Sequence, residues 1–132
     1  MTDNYNVTIE KASRDLTVKE QIQFKGVLDL NALDDMVQLD GPALVIKPVL
    51  WVLQKVHNER ARGTQKDYTK MVIQVEGGDM YTTGSSSFIE AFLDIWEDVD
   101  KLTASGEEWG IRIFKRPSKN YEGRGYLLAA ID

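Results

Sequence analysis

The chain has 132 residues, 42% of them apolar and 28% charged, with a formal net charge of −5; that length suffices for one domain with a real core and is too short for two. It contains no cysteine, which excludes disulfides, thiolate metal sites and cysteine nucleophiles together and suits a reducing compartment. No apolar run nears the ~18 residues a membrane span needs, and the opening "MTDNYNVTIE" is polar and acidic, unlike a secretion signal, so a cytoplasmic protein is expected.

The distribution of charge is more informative than its total. Residues 1–44 carry −4, 45–75 carry +4, 76–108 carry −8 and 109–132 carry +3. Such blocks fit plain solvated surface, and they equally fit a molecule with one basic and one acidic face, whose local field is what an anionic ligand meets.

In chain order, "NVTIE" reads as a short strand. "LTVKEQIQF" supports two readings: Thr17-x-x-Glu20 is a helix capping box, whereas the alternation of Leu16, Val18, Ile22 and Phe24 suits a strand. Gly41-Pro42 breaks the chain before "ALVIKPVLWVLQKVH" (43–57), a β-branched run interrupted by proline that predicts one long or bent strand. "NERARGTQKD" (58–67) is a polar loop, "YTKMVIQV" (68–75) a second strand, and "EGGD" (76–79) a turn into a short third strand, "MYTTG" (80–84).

A helix is predicted next. Ser87-x-x-Glu90 reads as its capping box, Phe88, Phe92, Ile95, Val99 and Leu102 recur at helical spacing, and Ser105-Gly106 ends it. Its other face carries Glu90, Asp94, Glu97, Asp98 and Asp100. "EWGIRIFKR" (108–116) and "YLLAAI" (126–131) then read as strands flanking a basic, glycine-broken loop. From residue 43 the order is strand, strand, strand, helix, strand, strand. That order predicts a mainly β chain with one principal helix, an OB-fold-like five-stranded barrel over 43–132 with 1–42 as an N-terminal extension, the whole a single domain. A small α+β sandwich uses the same elements.

Catalytic signals are sparse. His57 is the sole histidine and has no cysteine partner, and "GSSSF" lacks the G-x-S-x-G of a nucleophile elbow. "EGGD" and "EGRG" lack the Walker and dinucleotide patterns. Asp94 and Asp98 stand one helical turn apart with no further ligand at metal spacing. No catalytic residue, metal or cofactor is expected.

Binding signals are stronger. Alternation puts Arg112, Phe114 and Arg116 on one face of their strand and Trp109, Ile111 and Ile113 on the other. In the second strand Tyr68, Lys70 and Gln74 point away from Met71, Ile73 and Val75. Trp51 shares a parity with Lys47 and Lys55 but also with Val49 and Leu53, which fits core and surface equally. The 58–67 loop adds Arg60, Arg62 and Lys66, and the 116–126 loop adds Lys119, Tyr121 and Arg124. Cations that track phosphates and aromatic planes worth roughly 1–3 kcal/mol per stacked base are what single-strand binding requires. Solubility of edge strands is the plainer explanation of the same lysines and arginines.

"GDMYTTGSSSF" (78–88), "PSKNYEG" (117–123), His57-Asn58 and Tyr68 together resemble a family of small OB-fold single-stranded DNA-binding proteins from tailed bacteriophages and prophages of Gram-positive bacteria, over roughly residues 43–131. The resemblance implies a non-catalytic protein of a replication or recombination module in the bacterial cytoplasm. It places Lys119, Asn120 and Tyr121 in a functional loop and Tyr81, Thr83, Gly84 and Ser85 at a strand-to-helix corner. The chain stops at "AAID" without the acidic tail many single-strand binders use for recruitment, so contacts with replication or recombination proteins would fall to the acidic helix 88–102. A phage interaction or assembly protein docking a basic partner through that helix is the alternative; homo-oligomerisation is compatible with either.

Overall fold

A computed structural model of the chain describes residues 5–26, 30–58, 67–118 and 125–132, and the fold is mainly β. The N-terminal stretch forms β1 (Tyr5–Ala12), α1 (Val18–Lys25), the two-residue β2 (Asn31–Ala32) and the single turn α2 (Leu33–Met36). The long apolar run divides at Lys47 into β3 (Leu44–Ile46) and β4 (Pro48–Asn58). β5 (Asp67–Val75) and β6 (Met80–Thr83) precede α3 (Ser86–Trp96) and α4 (Val99–Ser105), and β7 (Ile111–Pro117) and β8 (Gly125–Ile131) complete the order.

Local chemistry explains several boundaries. The ambiguous Thr17 segment resolves to a helix because its capping box closes: Glu20 N–H donates to Thr17 Oγ1 at 3.2 Å and Thr17 N–H to Glu20 Oε1 at 3.0 Å, which satisfies two otherwise orphaned amide donors. Gly77 and Gly78 have φ of 98° and 102°, the left-handed conformation a tight hairpin turn demands and that side chains with a Cβ resist. The third helix starts two residues earlier than its sequence signal. Ser85, not Ser87, is the N-cap, its Oγ accepting the Phe88 amide at 3.3 Å, and with Phe88 at N3 there is no capping box.

The strands form two sheets. The larger has the order β1-β4-β5-β6-β2, antiparallel except for the β2–β6 pair; the smaller has the order β3-β7-β8 and is antiparallel throughout. The bend at Lys47-Pro48 lets one run of sequence serve both, β3 pairing with β7 and β4 with β5. Among the described residues no ladder joins β6 to β8, so the sheets do not close. Ser87 links these parts instead, its Oγ donating to the Leu127 carbonyl at 2.8 Å.

Most of the core lies between the two sheets and α3. Trp51, Leu53, Met71, Ile73 and Tyr81 from the large sheet meet Ile111, Ile113 and Leu127 from the small one. Phe88, Phe92 and Trp96, one helical turn apart, line the packing face of α3. Trp51 meets Phe92 and Trp96 edge-on, with centroids 6.5 and 6.2 Å away, and Phe92 stacks on Trp96 at 5.9 Å. Edge-on and offset stacks of this kind add to the area the rings bury.

A second, smaller cluster occupies the other face of the large sheet. Phe24 of α1 covers Leu50, Val52 and Val72, and the Gln54 side-chain amide donates to the Phe24 carbonyl. The described part of residues 1–42 therefore packs against the 43–132 core on both faces of the large sheet. β1 is a full partner of β4, α1 shields the sheet, and Leu33 and Val37 are buried in the main cluster.

The acidic helix also differs from expectation. The chain leaves the helix at Glu97–Asp98 and begins α4 at Val99, so 88–102 is two helices and Asp94 and Asp98 do not share a continuous turn. Asp98 pairs with Lys101 at 3.2 Å.

Candidate nucleic-acid interface

Period-two alternation on the small sheet sorts its side chains cleanly. Ile111, Ile113 and Leu127 point into the core, while Arg112, Phe114 and Arg116 stand on the outer face. β8 adds to that face in register, Tyr126 opposite Arg116, Leu128 opposite Phe114 and Ala130 opposite Arg112, and β3 sets Val45 opposite Arg112. Tyr126 is 41% exposed and Val45 50%. The three strands contain Arg112, Lys115 and Arg116 and not one carboxylate.

The two arginines are arranged around the phenyl ring. The Arg112 Cζ lies 5.2 Å and the Arg116 Cζ 5.7 Å from the Phe114 ring centre, within the ~6 Å range of cation–π attraction. Neither guanidinium forms a hydrogen bond or an ion pair among the described residues, so their donors face outward. Lys115 belongs to the inner parity and is half-buried; its Nζ donates to the Asp34 carbonyl at 2.8 Å, tying β7 to α2. At the β3 end of the sheet Lys47 Nζ sits 5.5 Å above the Trp109 ring.

The other predicted binding residues fall elsewhere. Tyr68 and Lys70 lie on the outer face of the large sheet, paired with Val56 and Gln54, the face whose interior α1 covers. Tyr68 is exposed. Lys70 is half-buried, and desolvation lowers its pKa below the ordinary lysine value. Lys55 is exposed on the opposite face, paired with Thr69. Arg60, Arg62, Lys66, Lys119, Tyr121 and Arg124 lie outside the described residues, in the connections between β4 and β5 and between β7 and β8.

Trp51 is a correction. It is 2% exposed and packed against Phe92 and Trp96, so no base can reach it. β4 is an interior strand of the sheet, between β1 and β5, covered by α3 on one face and α1 on the other, and Leu50 through Gln54 are all buried; parity cannot put a side chain of that stretch in water.

Tyr126 was missed by sequence reasoning. The signal was present, since alternation in "YLLAAI" opposes Tyr126, Leu128 and Ala130 to Leu127 and Ala129, but the stretch reads first as an apolar anchor.

At the strand-to-helix corner Thr83 and Ser85 are linked to each other and to α2. Thr83 Oγ1 donates to the Asp34 carboxylate at 3.1 Å and accepts the Ser85 amide at 3.1 Å.

A hollow of about 580 Å³ between β1 and α1 is lined by Ile9, Ala12, Leu16, Arg14 and Lys25 among others, but Arg14 is already committed to a bidentate pair with Glu20 at 2.8 and 2.9 Å. That pair and the Thr17 amide hold the Glu20 carboxyl down to about 2. His57 Nδ1 lies 2.5 Å from Asp67 Oδ1 across the β4–β5 ladder. Among the described residues no three His, Asp or Glu side chains gather as a metal site, and no helix is long and apolar enough to cross a membrane.

No protein-family model, curated protein or solved structure matches the chain.

Proposed function

We propose that this protein binds single-stranded DNA without catalysis, through the outer face of the β3-β7-β8 sheet. The observation that carries the proposal is the outer-face row Arg112–Phe114–Arg116, its two arginines exposed and its phenyl ring half-buried between them, with the exposed Tyr126 beside it, on a sheet whose strands hold no carboxylate. Guanidinium donors without partners among the described residues suit phosphate oxygens, and an exposed aromatic ring suits a base irrespective of its identity.

The strand pairing supports an OB-like reading. Taking β3 and β4 as one bent strand, its ladders to β5 and β7, together with β5–β6 and β7–β8, follow the order of an OB barrel left open between β6 and β8, with the helical segment between β6 and β7. β1 and β2 add to the edges of this core. A place in a phage or prophage replication or recombination module rests on the sequence resemblance alone. Docking on a basic partner through the acidic helix has less support, because the acidic residues span two helices and Asp98 is paired internally.

A mobility-shift comparison of single- and double-stranded DNA of one length, at low salt, tests the proposal. Retention of the single strand in preference to the duplex is expected. Absence of any shift with the single strand overturns it.

A further inference from the structure

The same interface assigns unequal roles to its two aromatic rings, an inference that rests on the single-strand reading above. Residues i−2, i and i+2 of a strand stand in a row on one face, about 6.7 Å apart. Phe114 is the middle of such a row, with Arg112 before it and Arg116 after it, and both guanidinium carbons lie over its ring, at 5.2 and 5.7 Å from the centre. A base stacks by bringing its plane into van der Waals contact with a ring face, ~3.5–4 Å away. Phe114 is half-buried and already has two guanidinium groups over its ring, so a base stacks there only by displacing a cation that the strand's phosphates also need.

Tyr126 is different. It stands opposite Arg116 on the neighbouring strand, is 41% exposed, and its ring makes no aromatic or cation contact among the described residues. We infer that Phe114 is a positioning residue that holds Arg112 and Arg116 as a paired phosphate clamp, and that Tyr126 is the ring of this face on which a base stacks. The order along the surface is then cation, spacer, cation on β7, with the base seat beside the second cation on β8. Phosphates run along β7 and bases turn toward β8.

Two ligands separate these roles: an oligothymidine and an abasic sugar-phosphate strand of equal length and charge, each bound to the full chain at low salt and followed by fluorescence anisotropy. Tyr126→Leu should weaken oligothymidine binding about tenfold, as loss of one stacked base predicts, and leave the abasic strand unchanged. Phe114→Leu should weaken both ligands by the same factor, since it loosens the guanidiniums and not a base contact, and Phe114→Trp, which restores a ring face, should recover both. Far-UV circular dichroism and the urea midpoint confirm that each variant is folded. A Phe114→Leu protein that loses affinity for oligothymidine alone, or for neither ligand, overturns the assignment, as does a Tyr126→Leu protein with wild-type affinity for oligothymidine. A wild-type protein that binds neither strand removes the interface itself, a failure distinct from a wrong division of labour within it.

Discussion

Replacing Trp51 with alanine removes the ring that wedges the large sheet against α3. Trp51 is 2% exposed and contacts both Phe92 and Trp96 edge-on. Truncating a buried tryptophan costs about 3–5 kcal/mol, because the neighbours refill the space only in part. Against the ~5–15 kcal/mol that hold a typical domain together, the variant keeps at most a modest margin. Trp51→Phe should behave quite differently. Its smaller ring leaves a void of a few tens of Å³, which costs about 1 kcal/mol. It also removes the indole N–H, which is buried without a partner among the described residues and costs ~1–3 kcal/mol where it stands. The two effects offset, and Trp51→Phe should lie within about 1 kcal/mol of wild type. Urea unfolding followed by far-UV circular dichroism measures both, and unchanged m values would show that the midpoint shift reports stability. At low denaturant, where both variants are folded, DNA affinity should be that of wild type. Should Trp51→Ala keep the wild-type midpoint and lose DNA affinity, the ring is a surface contact and the packing argument fails.

Three further substitutions or conditions probe other parts of the account. At Gly125 a Cβ would meet Leu39 Cδ1 at 2.7 Å and the Arg116 carbonyl at 2.9 Å, so Gly125→Ala should destabilise by about 1–3 kcal/mol in chemical denaturation; a neutral result would mean that β8 does not approach this closely. Lys70 is half-buried, without a hydrogen bond or ion pair among the described residues, and desolvated, so Lys70→Met should leave thermal stability equal or raised and single-strand affinity nearly unchanged. A large loss of affinity would move the interface to the large sheet. Glu20 has a folded-state pKa lowered from 4.5 to about 2, so its contribution to holding α1 is complete above pH 4.5 and is lost as the pH falls toward 2. Hydrogen exchange at α1 amides should accelerate across that window in wild type and show no such step in Glu20→Gln.

The legible parts of the sequence were those whose stability is local. "EGGD" names its own turn, the 3–4 residue spacing of Phe88, Phe92 and Ile95 names a helix face, and alternation in "IRIFKR" placed Arg112, Phe114 and Arg116 together. The illegible parts depend on what packs against them. Apolar spacing continues through Val99 and Leu102, so it conceals the break at Glu97–Asp98. β1 is a polar strand that earns its place only by pairing with β4. Parity left Trp51 open between core and surface, and packing from elsewhere in the chain decides it: Phe92 and Trp96 of α3 cover its face of β4, while Phe24 of α1 covers Leu50 and Val52 on the other. The Tyr68–Lys70 face looked open because nothing in that stretch announces that Phe24, more than forty residues earlier, covers its neighbours Val52 and Val72.

The salt dependence of single-strand binding tests the central claim most directly. Each phosphate neutralised on a single strand contributes ~0.7 to the slope of log affinity against log salt. Wild-type protein titrated with an oligothymidine from low to high salt should show a linear fall, and Arg112→Ala combined with Arg116→Ala should bind more weakly with a slope smaller by about 1.4. A wild-type affinity indifferent to salt, or a double variant with the wild-type slope, would contradict the placement of the strand on this sheet.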